Sequence, residues 1–464
     1  MALINSISGI RGTIGGRPGE GLSPVDIVNF ASTYGMWLKS KTPEGPLCAV
    51  IGRDSRISGS IVSSLVVSTL RSMGIDIIDA GLSTTPTIEI SVIDMSAEGG
   101  IIITASHNPR NWNALKLLNE KGEFLTSEEV CEMQKFSDPA DFVFVSSEKT
   151  GTYTEKDDLL DRHIEKILEL PLVDIEAIRA ANFSIVVDGI NSSGGIAVPQ
   201  LLSALGVKKI REVYCEPDGI FQHNPEPLPE NLTHLSSEVG KSDASLGIAV
   251  DPDVDRLAII SEDGDAFGEE YTLVAVADYV LSQGKGNTVS NLSSTQALAE
   301  VTEKYGGKHY YSAVGEVNVV EAMKAHKAVI GGEGNGGVIY PELHYGRDAL
   351  VGIALFLSKL AISGLSCSRL RKTYPDYYIS KNKIELSRDV DTRQIIDMIA
   401  GKYSKQQLDR TDGLKIWFDR EWVHLRASNT EPVIRIYAES DGTVKADHIA
   451  EKIKVDISEI LKGY

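Results

Sequence analysis

Three aspartates at alternate positions, in Asp251-Pro252-Asp253-Val254-Asp255-Arg256, are the most explicit chemistry in the chain. Oxygen ligands so spaced suit a hard cation such as Mg2+, which completes its shell with water or a phosphate oxygen. Clustered carboxylates also repel one another unless a cation neutralises them. An EF-hand calcium loop is rejected: Glu262 stands at its twelfth place, but the sixth is Arg256 instead of glycine, and the apolar run 257–260 would have to be coil. Upstream, the apolar run 99–103 breaks off into Thr104-Ala105-Ser106-His107-Asn108-Pro109. A serine at the carboxyl end of a buried strand sits where α/β proteins expose functional groups, and its hydroxyl can attack or carry a phosphoryl group. Taken alone, the same residues also make an ordinary capped turn.

Two more segments bear on ligands. In Gly331-Gly332-Glu333-Gly334-Asn335-Gly336-Gly337 the glycines let the backbone approach a ligand, while Glu333 and Asn335 offer acceptors and donors for sugar hydroxyls. No Lys-Ser/Thr follows, so this is not a Walker loop, and it is not a GxGxxG turn opening a helix. The segment Arg426-Ala427-Ser428-Asn429-Thr430-Glu431-Pro432, with Arg435 just beyond, gathers two guanidinium groups, two hydroxyls and an amide. That set matches a phosphate dianion. It matters the more because the chain carries a formal charge of −19, which disfavours nucleic acid and anionic membranes as partners and obliges an anionic substrate to find a local basic cluster.

The elements that must position these groups are legible in outline. Short apolar runs at 47–51, 75–78, 100–104, 185–187, 245–250 and 328–331 alternate with helical patterns, which argues for α/β layers. Residues 157–181 read as helix, with Leu159, His163, Ile167 and Leu170 on one face. From about Ser368 the pattern changes to strands separated by turns, closed by a helix over 448–461. We expect three similar α/β domains, 1–153, 154–256 and 257–368, each with its own core, and a C-terminal α+β domain, 369–464. Cys48, Cys131, Cys215 and Cys367 show no CxxC spacing and read as buried thiols of a reducing cytosol. With no leader-like N-terminus and no long apolar run, the expected location is cytoplasmic.

Together the four motifs, in this order and spread over the whole chain, resemble the α-D-phosphohexomutase family of phosphoglucomutases, phosphomannomutases and phosphoglucosamine mutases. Ser8-Gly9-Ile10-Arg11-Gly12, Gly52-Arg53-Asp54-Ser55-Arg56 and Phe221-Gln222-His223-Asn224-Pro225-Glu226-Pro227 add to the likeness, although each alone reads as a plain loop. The resemblance implies four domains around a central cleft, and a small-molecule sugar phosphate as partner. It implies that a hexose 6-phosphate and a hexose 1-phosphate interconvert through phosphorylated Ser106, with a hexose 1,6-bisphosphate as intermediate and activator. By the same analogy Ser106, Asp251, Asp253 and Asp255 hold Mg2+, Glu333 and Asn335 grip the sugar, and Arg426, Ser428, Asn429, Thr430 and Arg435 bind the non-reacting phosphate. Arg11, His107, Lys116 and Arg256 match positions at the reaction centre, with proton transfer falling to Lys116 or His107. Two places depart from the pattern: Gly337 stands where many members have His, and Ala313 where glucose and mannose mutases often have Lys. Asn335 resembles the loops of amino-sugar mutases, which points to glucosamine phosphate, while the Arg-Ala-Ser-Asn-Thr segment resembles the glucose/mannose enzymes.

Overall fold

The computed structural model describes residues 2–6, 9–42, 45–386, 391–427 and 433–462. The apolar runs become strands because both of their faces are covered: Gly99–Ile103 and Leu246–Val250 are buried at every position. Three sheets repeat one topology. Each has a parallel trio in which the third strand lies beside the first and the first beside the second: Gly99–Ile103, Leu47–Arg53 and Ile75–Leu82; Leu246–Val250, Ser184–Asp188 and Lys209–Val213; Ala328–Glu333, Asn287–Asn291 and His309–Ser312. The chain then turns back from the third strand into an antiparallel neighbour, Trp112–Leu118, Leu257–Ser261 or Gly337–Ile339. That reversing loop carries Ser106 in the first sheet, the aspartates in the second and Asn335 in the third. The first sheet is extended by Leu3–Ser6 and Gly9–Thr13 on one edge and by Tyr153–Glu155 on the other.

The fourth sheet is wholly antiparallel, in the order Tyr378–Glu385, Val433–Ser440, Trp422–Ala427, Leu414–Trp417, Gln407–Asp409. Helices Thr392–Lys402 and Thr443–Lys462 pack with it.

Several expectations shift. Tyr153–Glu155 pairs with Ile75–Leu82, so the first unit runs past 153. Leu257–Ser261 pairs with Leu246–Val250 and belongs to the second sheet instead of opening a third unit at 257. The stretch 157–181 is two helices, Leu159–Glu169 and Ile175–Ala181, since Pro171 follows the first and cannot donate to its last turn. The second and third units share one apolar core. The reason is the helix Ala349–Ser363, buried at eleven of its fifteen residues and hence apolar around its circumference. The cysteines are free, but Cys131 is exposed and Cys48 and Cys215 only half-buried. Among the described residues no helix is long and apolar enough to cross a membrane.

Candidate active site

Ser106 leaves its strand in the left-handed region, at φ 49°, a conformation that costs a residue with a side chain energy and persists only where its surroundings enforce it. Arg56 does the enforcing. Its guanidinium donates from Nε to Asp54, from Nη1 to the carbonyls of Pro109 and Trp112, and from Nη2 to those of Ser106 and Asn108. All five of its N–H donors are thereby used in a fully buried side chain. Thr104 Oγ1 donates to Asp54 at 2.6 Å and accepts from Ser106 N at 2.9 Å, closing the turn.

The Ser106 hydroxyl donates to Asp251 Oδ2 at 2.7 Å and lies 3.2 Å from His107 Nδ1. Asp251, Asp253 and Asp255 are fully buried, and one oxygen of each lies within 4.8 Å of the others. Protein donors fix one side of every carboxylate. Asp251 Oδ1 accepts from the N–H groups of Asp255 and Arg256. Asp253 Oδ2 accepts from Thr85 Oγ1 and Lys116 Nζ, both at 2.6 Å, and Asp255 Oδ2 from Arg347 Nη2 at 2.7 Å. The other oxygens, Oδ1 of Asp253 and Oδ1 of Asp255, are buried without a hydrogen-bond partner among the described residues. Burial, then Asp255 and Asp253, pushes the Asp251 carboxyl well above the usual carboxylate range. Buried hard oxygens, two of them unpartnered, facing a hydroxyl are what a divalent cation such as Mg2+ requires, so the residues fit that ion. Val254, inside this loop, is also left-handed at φ 64°, which is costly for a β-branched residue.

Around this centre, burial and then Arg256 hold the His107 imidazole well below its usual range. Burial works against the Lys116 ammonium too, but Asp253 and Asp255 outweigh it and hold the group above the ordinary lysine range. Arg256 reaches Glu226 of the 221–227 segment at 3.4 Å, and Phe221 lies 5.1 Å beneath the Arg56 guanidinium.

On the third unit Glu333 accepts from Asn291 Nδ2 at 2.8 Å, Gly315 N at 3.0 Å and Arg347 Nη1 at 2.8 Å. Burial would raise its carboxyl, but Arg347 and Asn291 prevail and lower it. Asn335 Oδ1 accepts from Gly337 N, leaving its amide NH2 with one long contact of 3.5 Å to Glu333. Gly334 lies against Glu270: a Cβ there would lie 1.9 Å from Glu270 Oε2 and would displace that carboxylate. Across the cleft stand Arg11, Arg426 and Arg435. Burial, then Arg435, lowers the Arg11 guanidinium, whose Nε has no hydrogen-bond partner among the described residues. Arg426 is held by Asp412 at 2.7 Å. These groups line two confluent cavities of about 500 Å3 each, which share Arg11, His107, Arg256, Glu333 and Arg347.

The cleft thus collects Ser106, His107, Lys116, Arg11, Arg256, Glu333, Asn335, Arg426 and Arg435, with the aspartates beneath. Ser428, Asn429 and Thr430 lie outside the described residues. Sequence reasoning passed over Arg56, Thr85, Glu270, Asn291 and Arg347. Arg56 stood in a motif already noted; Arg347, alone ahead of the helix-capping Asp348, carried no pattern that marks a site.

Three repeated units that aim one loop each into a cleft, closed by a fourth domain that brings Arg426 and Arg435 to it, define an enzyme built for a phosphorylated small molecule. The four phosphoglucomutase/phosphomannomutase domains match consecutively: α/β/α domain I over residues 4–140, domain II over 161–264, domain III over 268–378 and the C-terminal domain over 385–454. A phosphoglucomutase/phosphomannomutase of Thermococcus kodakarensis is 36% identical over 97% of this chain and 99% of its own. A probable phosphoglucosamine mutase of Methanopyrus kandleri is 31% identical, covering 97% of this chain and 96% of that protein. The fold matches the crystal structure of a phosphoglucomutase/phosphomannomutase family protein from Burkholderia thailandensis, with a TM-score of 0.83, 24% identity and 98% of each chain covered. The chain belongs to the phosphoglucomutase/phosphomannomutase family and is a phosphohexomutase, an isomerase that relocates a phosphoryl group on a sugar phosphate.

Proposed function

We propose that the protein interconverts hexose 6-phosphate and hexose 1-phosphate through phosphorylated Ser106, with glucosamine phosphate as its main substrate. The observation that carries the mechanism is the Ser106 hydroxyl, held 2.7 Å from Asp251 at the centre of a buried carboxylate cluster. Ser106, Asp251, Asp253 and Asp255 would hold Mg2+, which when bound would neutralise charge on the transferring phosphoryl group. The sugar hydroxyl attacks phosphorus as the bond to Ser106 Oγ breaks, giving a hexose 1,6-bisphosphate; in the return step the hydroxyl of Ser106 takes the other phosphoryl group. His107, whose Nδ1 faces Oγ at 3.2 Å, accepts the proton of the attacking hydroxyl and returns it, while Lys116, engaged by two aspartates, balances charge. Arg11, Arg426 and Arg435 receive the phosphate that is not reacting, together with Ser428, Asn429 and Thr430. Glu333 and Asn335 hold hydroxyls in both orientations of the bisphosphate, and Arg256 completes the cationic rim.

The preference for an amino sugar is supported by Glu270. Its carboxyl lies against Gly334, beside Asn335, and accepts from Thr295 N at 2.9 Å, with no ion pair among the described residues; burial raises it well above the usual range despite Lys381. The ammonium at C2 of glucosamine phosphate supplies a cationic partner, and the Asn335 amide adds a neighbouring contact. The Thermococcus relative favours a second reading, glucose and mannose phosphates. Comparison of kcat/KM on glucosamine, glucose and mannose phosphates, each with its bisphosphate, tests the choice. Glucosamine phosphate is expected to lead, and Glu270→Gln to cut that lead. A higher kcat/KM on glucose or mannose phosphate overturns the amino-sugar reading.

A further inference from the structure

We propose that Arg347 is a positioning residue that locks the sugar loop to the metal loop, reaching both through the gap left at Gly337. The residue sits ahead of the helix Ala349–Ser363, and its backbone is fixed on both sides: Arg347 N donates to Glu316 Oε1, and Asp348 caps the helix. From there the guanidinium reaches carboxylates on three separate elements: the start of the helix Glu316–His326, the end of the strand Ala328–Glu333 and the aspartate loop. Nε donates to Glu316 at 3.0 Å, Nη1 to Glu333 at 2.8 Å and Nη2 to Asp255 at 2.7 Å. Glu333 belongs to the third sheet and Asp255 to the reversing loop of the second, so one rigid planar fork sets the separation of a sugar-facing and a cation-facing carboxylate. A lysine has one point of charge and can satisfy only part of this set.

The path depends on a missing side chain. A Cβ on Gly337 would lie 2.4 Å from Arg347 Cδ, far inside van der Waals contact, and 3.1 Å from both Arg347 Cγ and Asn335 Oδ1. Gly337 is not left-handed, so alanine there acts through side-chain crowding, first against Arg347 Cδ and more mildly against Asn335 Oδ1. Arg347 lines both cavities of the cleft, and its two remaining N–H groups have no partner among the described residues.

The proposal rests on the roles given above to Glu333 and Asp255, and a double-mutant cycle separates the two. Arg347→Ala is expected to lower kcat/KM by about 100-fold and Gly337→Ala by about tenfold, with both a fall in kcat and a rise in KM, as for a misplaced reacting group. Loss of folded protein would lower kcat and leave KM unchanged. The double variant is expected to fall within about twofold of Arg347→Ala, because the alanine at 337 then meets only Asn335 Oδ1, at 3.1 Å. Millimolar guanidinium is expected to restore part of the activity of Arg347→Ala and none of Lys116→Ala. Arg347→Lys keeps the charge and the fold; we expect it to lose about tenfold in kcat/KM and about tenfold in Mn2+ affinity, read by electron paramagnetic resonance on the substrate-free protein. Additive losses in the cycle, or parental kcat/KM and Mn2+ affinity in Arg347→Lys, overturn the proposal. If Glu333→Gln is itself harmless, the fault lies in the sugar-site reading; if Glu333→Gln is damaging and the cycle is additive, it lies with Arg347.

Discussion

The two ends of the cleft are held in opposite ways. At the reaction end Ser106, Arg56 and the three aspartates are buried and tied: Arg56 uses all five donors on Asp54 and the Ser106 turn, and protein donors fix one oxygen of each aspartate. At the phosphate end the cations are less engaged among the described residues, with Arg435 exposed, Arg11 half-buried and repelled by it, and Arg426 held by Asp412. The difference teaches that geometry for the chemical step is prepaid in folding, whereas the cationic wall keeps its binding capacity for a dianion. Variants at the two ends should therefore fail in different kinetic constants.

The largest effect is expected at Arg56. Arg56→Met strands the Asp54 carboxylate and four carbonyls of the serine turn, so stability should fall by about 3–5 kcal/mol and turnover should vanish. Denaturant unfolding and a coupled assay measure both; a fall in turnover at parental stability would show that the turn holds without it. Next is Asp253→Asn, which should lower kcat by more than the roughly 10–100-fold typical of groups that merely support metal ligands, with Mn2+ affinity falling in parallel. Full activity after exhaustive chelation contradicts the metal assignment outright. At the other end, Arg426→Ala loses a charge-assisted contact of about 1.5–3 kcal/mol, so KM should rise about 10–100-fold with kcat nearly kept. An unchanged KM places the phosphate elsewhere.

The smallest effect concerns the seam between the third and fourth units. Lys415 is fully buried among Tyr311, Trp417 and Trp422, with its Nζ donating to Leu292 O at 2.7 Å. Burial depresses it to about 7, with Glu439, Asp409 and Glu270 opposing. The unfolded lysine keeps its proton up to about 10.4, so between these values the unfolded state binds more protons and stability rises with pH. Relative to Lys415→Met, the parent should gain at most about 1.4 kcal/mol per pH unit over that window and nothing below it. Parallel stability curves for the two proteins would show that Lys415 does not titrate there.

The parts of the molecule legible in sequence are those where one short segment carries its own pattern. The run 99–103 ending at Ser106, and the alternating aspartates after 246–250, announce both strand and chemistry because apolar continuity stops abruptly at a polar turn. What escaped is non-local. Leu257–Ser261 reads as apolar strand either way, and only its pairing with Leu246–Val250 assigns it to the second sheet. Arg347 and Arg56 act by reaching loops far from them in the chain, and their importance lies in what surrounds them. Glu270 reads as the first turn of a helix, and its place against Gly334 is a fact of packing.

The central claim is that Ser106 carries the phosphoryl group. Incubation with hexose 1,6-bisphosphate labelled with radioactive phosphate, followed by peptide mapping, tests it most directly. The account predicts label on the peptide containing Ser106 alone, its transfer to sugar on addition of unlabelled hexose monophosphate, and neither label nor more than residual turnover in Ser106→Ala. Label on a different residue, or near-parental turnover by Ser106→Ala with bisphosphate present, would contradict it.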